Sequence, residues 1–279
     1  MSLDLAHYCV FGNPIHHSKS PLIHAMFAKQ TAQSMDYQAN LVPLDGFAAS
    51  VQQFMNAGGK GANVTVPFKL EAYALSDQLS ARAAMAGAVN TLTFSDGAIV
   101  GDNTDGIGLV CDITKNAATP IRGRRVLLLG AGGAARGALL PLLEEQPASL
   151  MIANRTLSKA LDLVQLAVSS DGSKCQIEAK TWEQLDSSFD LIINATSASL
   201  QSEVPPIPAS VFASPCLAYD MMYADTQTSF NRYAQQYGAA TRDGLGMLIE
   251  QAAEAFFIWR GIRPDTKPVF DYFRSKEGA

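Results

Sequence analysis

The chain has 279 residues, 48% of them hydrophobic and 17% charged, with a formal net charge of −5. Those proportions belong to an ordinary globular protein, long enough for one large domain or two smaller ones. The charges are dispersed, so no basic stripe argues for nucleic acid, and no apolar run is long enough to cross a bilayer. The start, Met1-Ser2-Leu3-Asp4-Leu5, lacks the positive and apolar regions of a signal peptide, so a cytoplasmic location is expected. Cys9, Cys111, Cys175 and Cys216 stand far apart, at no metal-binding or disulfide spacing. Cys9 and Cys111 lie in apolar runs and read as small core residues.

Strands and helices alternate almost from the start. Residues 8–11 read as a short apolar strand ended by Gly12-Asn13-Pro14, and Pro21 as the first turn of a helix reaching residue 31. A strand is expected at 36–42, a helix at 46–55 stopping at Gly58-Gly59, and a third strand at 63–66. There Asn63 and Thr65 alternate with Val64 and Val66, which sets polar side chains on one face until Pro67 stops the strand. A helix is expected at 69–75, and residues 83–87 read as a small-residue helix end. Residues 91–94 and 99–100 flank Ser95-Asp96-Gly97, a hairpin signal.

After a helix from about Gly106, residues 117–120 read as a linker. A second alternation follows, with strands at 125–129, 150–153, 191–194, 216–220 and 239–241 and helices at 134–143 and 157–167. An apolar helix at 247–259 comes too late for that second sheet and is expected to return to the first domain. The pattern predicts an α/β protein of two domains with mainly parallel sheets, separated by a cleft. One domain takes residues 1–106 with about 247–279, the other about 107–246.

Val126 to Leu129 lead directly into Gly130-Ala131-Gly132-Gly133-Ala134-Ala135-Arg136, a match to G-x-G-x-x-A between a strand and a helix. Gly130 permits the tight turn, Gly132 a close approach of the backbone to a pyrophosphate, and Ala135 close helix packing. The next strand ends at Asn154-Arg155-Thr156, with Lys159 one turn on. An NAD enzyme commonly carries an acidic residue there; a guanidinium attracts a 2′-phosphate instead, which favours NADP.

Lys69 stands where the third strand gives way to a helix, at the mouth of a sheet. Its plain reading is a surface lysine opening that helix; its functional reading is proton transfer, since lysine pKa values move readily. Ser18 and Ser20 precede a helix, where either would serve as an N-cap or a carboxylate ligand. His16 and His17 have no ligand-like partners nearby and read as exposed or structural. Gly101-Asp102-Asn103-Thr104-Asp105-Gly106 lacks the oxygen ligands of a calcium loop; Asp105 would open a helix or partner Lys69.

These motifs together resemble the shikimate dehydrogenases. The resemblance rests on Gly12-Asn13-Pro14-Ile15 through Ser18-Lys19-Ser20-Pro21, Asn63 to Lys69, Ala88-Val89-Asn90-Thr91, Gly101 to Gly106, Gly130 to Arg136, Asn194-Ala195-Thr196-Ser197 and Asp243-Gly244-Leu245-Gly246-Met247-Leu248. It spans essentially the whole chain and points to the stand-alone bacterial form. It implies reversible NADPH-dependent reduction of 3-dehydroshikimate to shikimate, in a substrate domain joined to a Rossmann-like NADP domain. Ser18 and Ser20 would bind the substrate carboxylate with Tyr223 nearby, and Asn63, Thr65, Asn90, Asp105 and Gln251 its hydroxyls. Lys69 would be the acid in reduction and the base in oxidation, partnered by Asp105. Gly130, Ala131, Gly132, Gly133 and Ala134 would cradle the pyrophosphate. Asn154, Arg155, Thr156 and Lys159 would hold the adenosine phosphate, and Thr196, Met221, Gly244 and Met247 would line the nicotinamide side.

Two departures stand out. Ala198-Ser199-Leu200 replaces a stretch that usually has a glycine two residues after Ser197, and Lys159 stands where an arginine is common. A lysine keeps the charge but loses the bidentate fork, which weakens the preference for NADP. The rival readings are a quinate/shikimate dehydrogenase using NAD or NADP, and a non-catalytic NADP-sensing relative. Arg155 without an acidic neighbour speaks against the first, and the joint presence of Lys69 and Asp105 against the second. The expected partner is the small-molecule substrate, with no nucleic acid or membrane, in a monomer or homodimer.

Overall fold

In the computed structural model, which describes residues 5–170 and 175–277, the chain divides into two units. One comprises Met1–Gly108 with Ile249–Ala279, the other Leu109–Leu248. Of the start read for a signal, residues 1–4 lie outside the described residues.

The first unit runs β1 (Ala6–Gly12), α1 (Ser20–Gln30), β2 (Met35–Leu41), α2 (Phe47–Asn56), β3 (Gly59–Val64), α3 (Lys69–Leu75), β4 (Gln78–Leu79), α4 (Ala81–Ala86), β5 (Thr91–Ser95) and β6 (Ala98–Asp102). Its sheet has the order β2-β1-β3-β5-β6-β4. β1 is parallel to β2 and β3, whereas β5 runs antiparallel to β3 and β6. The β5–β6 turn carries Asp96 at φ 52° and Gly97 at φ 81°, the left-handed pair a two-residue hairpin requires. Asn63 is paired with Thr91, and Thr91 with Asp102, so the end of β3, the start of β5 and the end of β6 share one edge. Beneath them Cys9, Phe11, Val64, Phe68 and Leu92 form the core, with Phe47 stacked on Phe68 at 5.0 Å.

The second unit contains β7 (Arg125–Leu129), α6 (Gly133–Glu144), β8 (Ser149–Ala153), α7 (Leu157–Ser170), β9 (Gln176–Lys180), β10 (Phe189–Asn194), β11 (Phe212–Asp220), α8 (Ser229–Gln236) and β12 (Ala240–Arg242). All its strands are parallel, in the order β12-β11-β10-β7-β8-β9. Read from β9, that is the doubly wound dinucleotide-binding order, whose strand sequence reverses between β7 and β10. Val126, Leu127, Leu128 and Leu129 are fully buried, as a strand covered by helices on both faces demands. The chain passes between the units within two helices, α5 (Asp105–Cys111), which continues as a π turn at Asp112–Asn116, and α9 (Leu245–Arg260). α10 (Lys267–Glu277) closes the first unit.

The differences from the sequence reading have local causes. β3 begins at Gly59 and ends at Val64, so Thr65 and Val66 lie beyond it. Val66 is 64% exposed, while Phe68 takes the core position. Residues 117–120 lie inside the second unit and are no domain linker. Cys111 is half-buried rather than a core residue. β4, β9, α8 and α10 escaped the apolar pattern: β4 has two residues, and β9 is Gln-Ile-Glu-Ala-Lys at a sheet edge. α8 and α10 each bury a thin apolar line, Phe230 with Ala234 and Val269 with Phe273.

Candidate active site

The polar residues of the first unit gather where its strands end, the usual place for ligands in open α/β sheets. β1 ends at Gly12, where a Cβ would stand 2.5 Å from Thr65 Cγ2, so the two chain segments can approach only with a glycine. The loop that follows carries Ser18, half-buried, and leads into α1 with the buried Ser20 as its first residue. Neither serine is the N-cap: that position falls on Lys19, whose side chain makes no cap bond. The helix opens one residue before Pro21, which leaves Ser20 inside it, and the Ser20 amide donates to Ser18 Oγ at 3.3 Å. His16 and His17 are exposed, their rings 3.7 Å apart.

Between β3 and α3 the Phe68 amide closes a turn on the Thr65 carbonyl at 3.0 Å. Lys69 is the first residue of α3, and its ammonium lies 2.6 Å from Asp105 Oδ2. Asp105 is likewise the first residue of α5, and its Oδ1 accepts from Asn90 Nδ2 at 2.8 Å. With both oxygens engaged the carboxylate is held in one rotamer, and it holds the ammonium in turn. The two side chains are 30% and 19% exposed, half-buried and open to a ligand.

Asn90 is the hub of a buried network. Its Oδ1 accepts from the Thr104 amide and from Thr91 Oγ1, both at 2.8 Å. Its Nδ2 also donates to Thr104 Oγ1 at 3.0 Å and to Gln251 Oε1 at 3.3 Å. Asn63 joins through Thr91 Oγ1 at 3.1 Å. Thr65 is half-buried at the rim, its amide on the Phe11 carbonyl. Ser18, Ser20, Asn63, Thr65, Lys69, Asn90, Asp105 and Gln251 all belong to the first unit.

One contributor escaped the sequence reading. Arg82 grips Asp102 with Nε and Nη2 at 2.7 and 2.8 Å and reaches Glu254 at 3.1 Å. That fork, with Ser80 Oγ also on Asp102, braces the loop in which the Asp105 amide donates to Asn103 Oδ1 at 3.2 Å. The two carboxylates of the loop were visible in sequence; only the fold separates the one facing Lys69 from the one facing Arg82.

In the second unit the singled-out residues again follow strand ends. Gly130, at φ 103°, turns the chain after β7, a conformation costly for any other residue. A Cβ there would lie 3.1 Å from Thr196 Cγ2, which brings the turns after β7 and β10 together. Gly132 caps α6 without a side-chain bond, and a Cβ at Gly132 or Gly133 would meet nothing within 4 Å. Ala131 and Ala134 flank them half-buried, and Ala135 is fully buried. An open, side-chain-free helix start whose amides face outward fits a pyrophosphate. After β8, Asn154 Nδ2 donates to the Thr156 carbonyl at 2.9 Å, leaving Arg155, Thr156 and Lys159 exposed around a shaped loop. Those groups fit the phosphate of an adenosine.

Thr196 donates to Asn194 Oδ1 at 2.7 Å and accepts from the Ala198 amide at 3.3 Å. Asn194 Nδ2 donates to Asp220 Oδ1 at 3.1 Å, and Ser199 Oγ to Asp220 Oδ2 at 2.6 Å. Ser199, in the stretch that departs from the family pattern, thus ties its loop to the end of β11. Burial pushes the Asp220 carboxyl above its ordinary range, against the hydrogen bonds it accepts. Met221 is buried beside it, its amide on the Asn194 carbonyl. Gly244 must be glycine, since a Cβ would fall 2.1 Å from the Met221 carbonyl oxygen. The Met247 amide donates to Tyr219 Oη at 3.2 Å. Tyr223 follows β11 half-buried, its phenol pKa raised by burial and then by the charge of Asp225.

Known proteins resemble this chain along its length. Residues 10–92 match the shikimate dehydrogenase substrate binding domain, 112–202 the shikimate / quinate 5-dehydrogenase family, and 244–269 the shikimate 5'-dehydrogenase C-terminal domain. The shikimate dehydrogenase (NADP(+)) of Janthinobacterium sp. is 59% identical over 276 residues, covering 99% of this chain and all of that one. Among solved structures, an Ael1 enzyme from Pseudomonas putida is 50% identical with a TM-score of 0.91, over 96% of this chain and 97% of that one. Shikimate 5-dehydrogenase of Thermus thermophilus, solved in complex with NADP(H) and shikimate, is 32% identical with a TM-score of 0.83, over 94% and 96%.

Proposed function

This chain belongs to the shikimate dehydrogenase family, and we infer that it is an NADP-dependent shikimate dehydrogenase. It catalyses the reversible reduction of 3-dehydroshikimate to shikimate in aromatic amino-acid (chorismate) biosynthesis. The unit holding Lys69 takes the substrate and the unit holding Gly130 takes the cofactor. The observation that carries the assignment of chemistry is the Lys69–Asp105 pair, 2.6 Å apart amid amides and hydroxyls suited to a polyol acid. No helix of the described residues is long and apolar enough to cross a membrane. A cytoplasmic site of action as a monomer or homodimer completes the reading.

NADPH, when bound, supplies the hydride to the carbonyl carbon. As that carbon becomes an alcohol, negative charge grows on its oxygen. Lys69 meets that oxygen with an N–H and transfers the proton, so carbonyl, hydride and proton together make the hydroxyl. Asp105 orients the ammonium through Oδ2, and Asn90 keeps Asp105 from turning away. In the oxidative direction neutral Lys69 takes the hydroxyl proton. Proton transfer of this kind is worth on the order of 10²–10⁴-fold, with alignment supplying much of the rest. Ser18 and Ser20 give the substrate carboxylate hydroxyl donors, and Arg155 with Lys159 gives the 2′-phosphate two cations.

The test is to mix the purified enzyme with 3-dehydroshikimate and NADPH and follow the nicotinamide absorbance. Loss of the band, with shikimate as product, is expected. A flat trace beside undiminished NADPH binding marks a sensing relative; equal rates with NAD and quinate mark the broader dehydrogenase.

A further inference from the structure

The hydrogen-bond directions around Asn63 can be worked out from groups that allow no choice. The Thr104 amide is only a donor, so the atom of Asn90 facing it is the amide oxygen. Thr91 Oγ1, 2.8 Å from that oxygen, must donate its single proton there. Its lone pairs are then what it offers Asn63, at 3.1 Å. The Asn90 backbone carbonyl, an acceptor only, also faces the same Asn63 atom at 3.2 Å. That atom is therefore Nδ2, with both its protons spent. Asn63 Oδ1 turns the other way and meets the hydroxyl of Tyr37 at 2.7 Å.

Tyr37 is built to stay there. It lies buried in β2, its ring stacked on the His24 imidazole at 4.1 Å and 8°. Burial raises its pKa well above the ordinary phenol value, so it remains a donor at any pH the enzyme meets. Asn63 is thus held from both sides, both protons of its amide nitrogen used by the protein and its oxygen turned to Tyr37 as an acceptor.

We propose that Tyr37 is a positioning residue that sets Asn63 as a hydrogen-bond acceptor, so that this corner of the site selects a ligand hydroxyl acting as donor. The proposal deepens the shikimate dehydrogenase reading and rests on it. Its chemical consequence is specific. The oxygen that alternates between carbonyl and hydroxyl during turnover cannot be the one at Asn63, because a carbonyl has no proton to give. Asn63 holds a hydroxyl that substrate and product share, while Lys69 takes the reacting oxygen. An analogue with an oxo or ether oxygen at the Asn63 position is rejected, since two acceptors would face each other without a proton between them.

The experiment is a double-mutant cycle of Tyr37→Phe and Asn63→Ala in the full-length enzyme, following shikimate oxidation by NADP. Tyr37→Phe keeps the ring on His24 and removes one oxygen. It is expected to raise KM for shikimate by roughly three- to tenfold, the worth of one buried hydrogen bond, with kcat within about twofold. KM for NADP stays unchanged, which also reports that the protein is folded. On the Asn63→Ala background the same substitution is expected to raise KM by less than it does alone, the remainder coming through Ser20, which also bonds the Tyr37 hydroxyl. An unaltered KM for shikimate in Tyr37→Phe, or an equal added penalty in the double variant, overturns the proposal while wild-type turnover leaves the shikimate dehydrogenase reading intact. A wild-type enzyme that does not oxidise shikimate overturns both.

Discussion

The proposed chemistry rests on a single lysine, and its surroundings say how. Lys69 opens a helix, as many surface lysines do, yet its ammonium is committed to Asp105 at 2.6 Å. Lys69→Ala should lower kcat by roughly 10²–10⁴-fold, the range of general acid–base catalysis, with NADPH affinity unchanged by fluorescence titration. Near-normal turnover in that variant would remove Lys69 from the mechanism. The cofactor end offers a matching test. Arg155 is exposed beside a loop shaped by the Asn154–Thr156 hydrogen bond, so its substitution leaves the fold alone. Arg155→Ala is expected to raise KM for NADP by roughly ten- to hundredfold, the worth of charge-assisted hydrogen bonds, and to leave KM for NAD nearly untouched.

Among the elements, the π turn after α5, the strands β11 and β12 and the start of α9, all within the second unit, meet on one buried carboxylate. Asp112 is fully buried and accepts from Arg242 Nε at 2.6 Å, Tyr219 Oη at 2.8 Å and Asn116 Nδ2 at 2.9 Å. The second residue of α9 is Gly246, where a Cβ would fall 2.0 Å from Asp112 Oδ2. The missing side chain is what lets the helix start against the carboxylate. Arg242→Ala leaves that buried charge without its main partner and is expected to destabilise the protein by about 3–5 kcal/mol in denaturant melts. A loss below about 1 kcal/mol, the worth of a surface pair, would mean the site rehydrates instead.

Seen whole, the stability of the molecule has a pH dependence that one buried imidazole predicts. His24 sits on α1 against the rings of Tyr37, Phe27, Phe256 and Trp259. Burial lowers its pKa from 6.5 to about 3. The folded protein therefore keeps His24 neutral where the unfolded chain binds a proton. Its contribution is complete above pH 6.5 and is lost progressively as pH falls toward 3. The melting temperature should decline across that window, and His24→Phe should flatten the decline whatever it does to the value at neutral pH. An identical slope in the variant would assign the acid sensitivity to the carboxylates.

Sequence by itself determined the α/β class, the doubly wound turn at Gly130 and the helix from Lys69 to Leu75. They follow from interactions among residues close in the chain, such as strand periodicity and a glycine turn with φ above zero. Strands with polar or minimal composition, such as β9 and β4, were not legible, because neighbours in the sheet define them rather than their own apolar pattern. Asp105 and Lys69 are 36 residues apart, and their separation of 2.6 Å depends on β5 running antiparallel between β3 and β6. The same holds for Tyr37 and Asn63, for Arg82 and Asp102, and for Ser199 and Asp220. Residue types announce what chemistry is available. Which donor faces which acceptor is decided by sheet order and register, and those exist only once the chain has folded.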